Sequence, residues 1–313
     1  MKKMNVLPYV WKTNNDNPLE ITKIFQNELN EVLKILNLYG AILFKGGNIS
    51  DSEKLDACIS NFPGARLNYF DGNSPRRKII NKVYTSTEHP AELLIPLHNE
   101  LSYSKNWPLY LFFCCETAPL IGGSTTLGDS RKIIEDMPDD LLNDFRAKGV
   151  CYIRNLHNGL GVGKSWKETF ETDEISNVEE YCRNNDIQIE VSGDGSIKLT
   201  QFAPGTIAHP VTGEEVWFNQ ADQFHPTTNP PEIFEALQDF YGESFHEMPQ
   251  YACFGDGDPI PLEYLNIIRN VLKKNTVFFT WERGDLLLAD NMRVCHGRDT
   301  FEGERKILVS MVR

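Results

Sequence analysis

A chain of 313 residues with 41% hydrophobic content and no long polar tract can bury a full core in one large domain, and nothing in its length forces a split. A formal net charge of −13 argues against nucleic acid as a partner, and the compact basic group Pro75-Arg76-Arg77-Lys78 is too short to form a phosphate-binding stripe. No apolar run reaches membrane-span length, the opening Met1-Lys2-Lys3-Met4-Asn5 leads into no apolar core, and seven cysteines scatter without metal or redox spacing; a cytoplasmic protein with reduced, mostly buried thiols is expected.

Along the chain, Ile21, Ile24, Phe25, Leu29, Val32, Leu33 and Leu36 recur at three-and-four spacing and predict an amphipathic helix over 19–38, stopped by Gly40. Ala41-Ile42-Leu43-Phe44 before Gly46-Gly47 predicts a buried strand. Strand-type runs follow at 78–84, 109–115, 150–153, 215–219, 276–280, 285–289 and 305–312. Helical patterns lie between them at 131–147, 166–184, 230–245 and 261–274, the last two opened by proline. Many strands with helices inserted, without strict alternation, predict a mainly β, α+β fold. Its expected form is a β-sandwich or jelly roll in a single domain spanning 1–313, with helical insertions over about 130–275, rather than a Rossmann-like parallel sheet.

The chemistry begins at Pro96-Leu97-His98-Asn99-Glu100-Leu101-Ser102-Tyr103. Extended backbone would put His98 and Glu100 on one face, where an imidazole and a carboxylate can bind one metal together. A third ligand from a distant strand would leave the opposite coordination positions open, as in the facial triad of oxygen-activating iron(II) sites. The tripeptide alone also fits a hydrogen-bonded pair at a strand end. A distal histidine is supplied by Gly284-Asp285-Leu286-Leu287-Leu288-Ala289-Asp290-Asn291-Met292-Arg293-Val294-Cys295-His296-Gly297-Arg298, an apolar strand, a polar turn and then His-Gly-Arg.

That segment, with the His-x-Glu, resembles the metal motifs of the taurine dioxygenase-like superfamily of iron(II)/2-oxoglutarate enzymes. The likeness is greatest to the syringomycin aspartyl hydroxylase-like branch that hydroxylates amino acids in peptide natural-product pathways, and the fold it implies is clavaminate synthase-like. It continues through Tyr84-Thr85-Ser86-Thr87-Glu88, Pro119-Leu120-Ile121-Gly122-Gly123-Ser124-Thr125 and Val216-Trp217-Phe218-Asn219-Gln220-Ala221-Asp222-Gln223-Phe224-His225-Pro226, from about residue 40 to the end. The resemblance implies a double-stranded β-helix core, Fe(2+) held by His98, Glu100 and His296, and 2-oxoglutarate and O2 as cosubstrates. It implies hydroxylation of an unactivated carbon of an amino acid or a derivative, free or tethered to a carrier protein, in antibiotic-type secondary metabolism. Glu100 disfavours halogenation, because related halogenases replace the carboxylate ligand by a small residue. Desaturation or cyclisation on the same scaffold remains an alternative, as does a non-catalytic, cupin-like metal or ligand binder.

By the same resemblance Thr125 binds 2-oxoglutarate, whose distal carboxylate needs a guanidinium fork. Arg298, Arg305 and Arg313 are the candidates, and Arg305 is favoured because it shares strand parity with Ile307, Val309 and Met311. Arg77, Tyr103, Asn219, Gln220 and His225 are candidate substrate contacts, either facing the substrate or satisfied within the protein. Asn158-Gly159-Leu160-Gly161-Val162-Gly163-Lys164-Ser165 ends like a P-loop, but Asn158 stands where glycine is required and no parallel strand–helix unit surrounds it, so a structural or lid loop is expected. Gly255-Asp256-Gly257-Asp258-Pro259 lacks the other ligands of a calcium loop and predicts a turn.

Overall fold

Side chains alternate across a strand, so a sheet covered on both faces needs apolar residues at nearly every position. That is the environment of the runs at 41–44, 111–115, 286–289 and 307–312. In the computed structural model, which describes residues 7–13 and 17–313, they lie in one seven-stranded sheet. Its order is Tyr9–Lys12, Ala41–Lys45, Leu286–Asp290, Tyr110–Thr117, Lys306–Val312, Val83–Thr85 and Lys78–Ile80. Pairing is antiparallel except at the edge, where Tyr9–Lys12 runs parallel to Ala41–Lys45. Ile42, Phe44, Phe112, Cys114, Leu286 and Leu308 face helices Pro18–Asn27, Leu29–Tyr39 and Ser52–Ile59, meeting Ile21, Phe25, Val32, Leu36 and Leu55. Leu43, Leu111, Phe113, Leu287, Ile307 and Val309 face the opposite way, into the core that borders the site.

Across that core lies a three-stranded antiparallel sheet, Ile95–His98, Val294–Arg298 and Thr125–Asp129, with the strand Val294–Arg298 in the middle. A four-stranded antiparallel sheet, Gln188–Val191, Ile197–Ala203, Val150–Leu156 and Gln250–Phe254, carries the later helices. The two strands at 188–203 were not expected from sequence, whereas 276–280 forms no strand beyond a bridge from Val277 to Leu127.

Helix boundaries differ from the periodic reading for local reasons. The 19–38 pattern is two helices, split where Glu28 (φ −123°) leaves the helical region; Phe25 and Val32 are two full turns apart, so the periodicity does not register the break. Asn17 caps the first helix and Gly40, in the left-handed region at φ +81°, ends the second, as expected. A Cβ at Gly40 would lie 2.4 Å from Val294 Cγ2, so close approach also requires glycine. The 131–147 pattern divides at Pro138, which cannot continue a helix, and 166–184 divides at Glu171. No helix among the described residues is long and apolar enough to cross a membrane. The opening segment, residues 1–5, lies outside the described residues.

Candidate functional site

Val294–Arg298 pairs antiparallel with Ile95–His98 so that His296 stands directly opposite His98, and the register shifts immediately afterward. The ring centroids are 4.3 Å apart. Glu100 joins them from a turn rather than from the strand, which ends at His98; the extended spacing expected for His-x-Glu is therefore not what brings it in. Asn291 does so, accepting from Glu100 N at 2.7 Å and donating to Glu100 O at 2.9 Å and Pro108 O at 2.9 Å. One ligand atom from each of His98, Glu100 and His296 lies within 4.8 Å of the others.

The chemistry of these donors fits a divalent metal. His98 Nδ1 lies 2.9 Å from the Pro96 carbonyl, which can only accept, so Nδ1 carries the proton and Nε2 keeps a lone pair for the cation. Burial and the neighbouring His296 push the His98 pKa down to about 3, keeping the ring neutral. Burial pushes the Glu100 carboxyl up, but Arg76 and the two imidazoles outweigh it and hold it well below the usual carboxylate range. Glu100 Oε2 lies 3.5 Å from His296 Nε2. The neutral His98 ring, the His296 imidazole and one carboxylate, buried and converging, make the ligand set of a two-histidine, one-carboxylate site.

These residues open onto a cavity of about 700 Å³, lined also by Phe113, Thr125, Arg298 and Arg305. Thr125 Oγ1 accepts from Trp281 Nε1 at 3.1 Å and Arg305 Nη2 at 3.3 Å. With both lone pairs engaged, its own proton is left to donate to a ligand. Arg305 also donates to Gly123 O at 2.8 Å and has no carboxylate partner among the described residues. Burial and Arg298 push its pKa down to about 10, so it stays charged at neutral pH. Arg298 is differently engaged, donating to the carbonyls of His89, Pro90 and Leu93. Arg313 is exposed and donates to Lys105 O.

Of the substrate candidates, Gln220 and His225 line the cavity, and Gln220 Oε1 is buried without a hydrogen-bond partner. Tyr103 presents its ring there, but its hydroxyl donates to Asp71 O at 2.7 Å. Asn219 is engaged elsewhere, donating to Gly205 O at 2.7 Å and accepting from Ala221 N at 3.1 Å. Arg77 is exposed outside this cavity, and the inward position belongs to Arg76, whose Nη2 donates to Glu100 Oε2 at 2.6 Å. The two precede the strand Lys78–Ile80, so strand parity does not govern which of them turns inward. Arg76, Gln223 and Trp281 were missed; for Arg76 the signal was the basic cluster itself, for the other two there was none beyond residue type.

The glycine-rich segment forms turns that end at Ser165, which caps helix Trp166–Phe170 in a reciprocal capping box with Glu168; no phosphate-binding unit is built there. Gly255-Asp256-Gly257-Asp258 is a turn, with Asp258 N donating to Asp256 Oδ1 at 3.0 Å.

The profile of the family described as taurine catabolism dioxygenase TauD, TfdA matches residues 10–311. The dapdiamide synthesis protein DdaC of Enterobacter agglomerans is 35% identical over 279 residues, covering 89% of this chain and 84% of its own. A clavaminate synthase-like protein of Arabidopsis thaliana is 26% identical over 300 residues, covering 93% and 87%. Among solved structures, AAD-2 in complex with Mn(II) and N-oxalylglycine superposes with a TM-score of 0.55 at 14% identity, covering 97% of this chain and 93% of its own, a likeness of fold.

Proposed function

The chain belongs to the TauD, TfdA dioxygenase family, and from that premise we propose that His98, Glu100 and His296 hold the iron(II) of an oxygenase acting on an amino-acid-like small molecule in a natural-product pathway. The class is an iron(II)- and 2-oxoglutarate-dependent dioxygenase. When bound, iron with 2-oxoglutarate supplies the activation of O2 that yields succinate and carbon dioxide and hydroxylates a C–H bond. The observation that carries the site assignment is the convergence of two imidazoles and a carboxylate at the wall of one cavity.

The chain's own residues bind, orient and exclude water. Thr125 donates its free proton and Arg305 its remaining N–H groups to the distal carboxylate of 2-oxoglutarate, held in place by Trp281 and Gly123. Arg305 takes this role over Arg298, whose guanidinium anchors the 89–93 loop through three carbonyls. Phe113, against the His296 ring at 5.2 Å, keeps the metal side dry. Gln220, Gln223 and His225 orient the substrate, and the unpartnered Gln220 Oε1 accepts from an amine or amide N–H. Tyr103 forms part of the wall.

We read the core as a jelly roll because two sheets, antiparallel but for one edge pair, enclose one apolar interior, and as a single domain because that interior draws on residues from Leu7 to Met311. Mass spectrometry tests the function. Protein loaded with iron(II) under anaerobic conditions is given O2, 2-oxoglutarate and a panel of amino acids, their amides and carrier-linked forms. An oxygen-atom mass gain with matching succinate is expected, and absent from His98→Ala; 2-oxoglutarate turnover that persists in that variant refutes the triad.

A further inference from the structure

Arg76 has no part in the roles given so far, yet it is among the most buried charges bordering the cavity. Its side chain is 3% exposed and that of its partner Glu100 5%. The hydrogen bond from Nη2 to Glu100 Oε2 is short, at 2.6 Å, whereas Nε and Nη1 are buried with no hydrogen-bond partner among the described residues. The guanidinium sits over the Tyr69 ring, 4.2 Å from its centroid, and the Tyr69 hydroxyl accepts from Ser74 N at 3.0 Å. An arginine buried with most donors unused costs stability unless its charge is required. Glu100 is the carboxylate within ion-pair distance of it.

The oxygen it holds is also the one that faces His296 Nε2, at 3.5 Å. A cation that takes this oxygen, the one nearest His296, shares it with a guanidinium already in contact with it. We infer that Arg76 is the counter-ion that keeps Glu100 in ligating position before metal arrives, and that it then competes with the metal for the same oxygen. It is a positioning residue that lowers the affinity of the site, and this role rests on the assignment of His98, Glu100 and His296 as metal ligands.

The sign separates this role from a merely structural one. Two cations on one carboxylate oxygen repel, so removing the guanidinium charge tightens metal binding. Loss of orientation alone works in the other direction, since deleting the partner of a metal ligand usually weakens binding on the order of ten- to a hundredfold. Arg76→Met keeps an apolar stem over Tyr69 without charge, and Arg76→Lys keeps a charge.

The experiment is calorimetric titration of Mn2+ into the full chain without 2-oxoglutarate, which needs no turnover. Arg76→Met is expected to bind Mn2+ at least about tenfold more tightly than wild type, and Arg76→Lys within about threefold of wild type. At equal Mn2+ the melting midpoint of Arg76→Met rises by more than that of wild type, a second readout usable if the metal-free variant is partly unfolded. Equal or weaker binding by Arg76→Met, a lysine variant that behaves like the methionine one, or an Arg76→Met chain that Mn2+ cannot restore would each overturn the counter-ion role. A wild type that binds no Mn2+, indistinguishable from a His98→Ala control, overturns the metal assignment itself and this inference with it.

Discussion

Arg305→Lys should weaken 2-oxoglutarate binding while sparing metal binding. In the native site Arg305 Nε holds Gly123 O at 2.8 Å and Nη2 holds Thr125 Oγ1 at 3.3 Å, which fixes the guanidinium plane and leaves its outer N–H groups for a carboxylate. Lysine keeps the charge but supplies one point contact and loses the fork. A hydrogen bond to a charged group contributes about 1.5–3 kcal/mol. Losing one of a pair therefore raises the dissociation constant by about 10- to 150-fold. Calorimetric titration of 2-oxoglutarate into Mn2+-loaded protein reads this directly, with no need to know the substrate. Arg298→Lys is the control: it should lower the melting midpoint by freeing the carbonyls of His89, Pro90 and Leu93, with little change in 2-oxoglutarate affinity. If Arg305→Lys binds 2-oxoglutarate like wild type while Arg298→Lys does not, the anchor is Arg298 and the argument from free donors is wrong.

Asp71→Asn leaves Arg154 buried without its counter-charge, both side chains being 0% exposed, and should cost about 3–5 kcal/mol, read as a melting midpoint lower by roughly 10 °C; a shift under about 2 °C would show the pair is not needed. Gly297→Ala places a Cβ 2.4 Å from Ile95 O and 2.7 Å from Thr126 Oγ1, forcing apart the strands that carry His98 and His296; Mn2+ binding should be lost, and its retention would mean the pairing is softer than the geometry implies. For pH, His98 has its pKa lowered from 6.5 to about 3, so between those values the unfolded chain binds the extra proton. Stability of the metal-free protein should fall as pH drops through that window, by up to about 1.4 kcal/mol per pH unit, and His98→Asn should flatten the slope in denaturant titrations; an unchanged slope would remove His98 as the source.

Much of this site was legible in the sequence because its parts are local motifs. His98, Glu100, Thr125 and His296 each sit in a short pattern of recognisable residue types; Arg305 lines the cavity, but it precedes the strand Lys306–Val312, whose register shifts between Lys306 and Ile307, so the expected parity is not what turns it inward. What failed depends on tertiary placement. Arg76 and Arg77 differ by one position in a segment before the strand, where period-two alternation has no hold. Asn219 is polar within an apolar stretch, yet Ala221 N two residues on and Gly205 O across the short 206–217 hairpin satisfy it, a partnership set by backbone geometry rather than residue type. Glu100 reaches the triad because Asn291, far along the chain, clamps both its N–H and its carbonyl. In the fold, the mainly β character with inserted helices was legible as a class, while the hairpin within 188–203 carries too many charged and polar residues for its alternation to stand out.

Anomalous diffraction at the iron edge, from crystals grown and loaded with iron(II) without oxygen, tests the central claim most directly. A single peak is expected at about 2.0–2.3 Å from one nitrogen of His98, one oxygen of Glu100 and one nitrogen of His296. A peak bound by other side chains, or none within reach of all three, would contradict it.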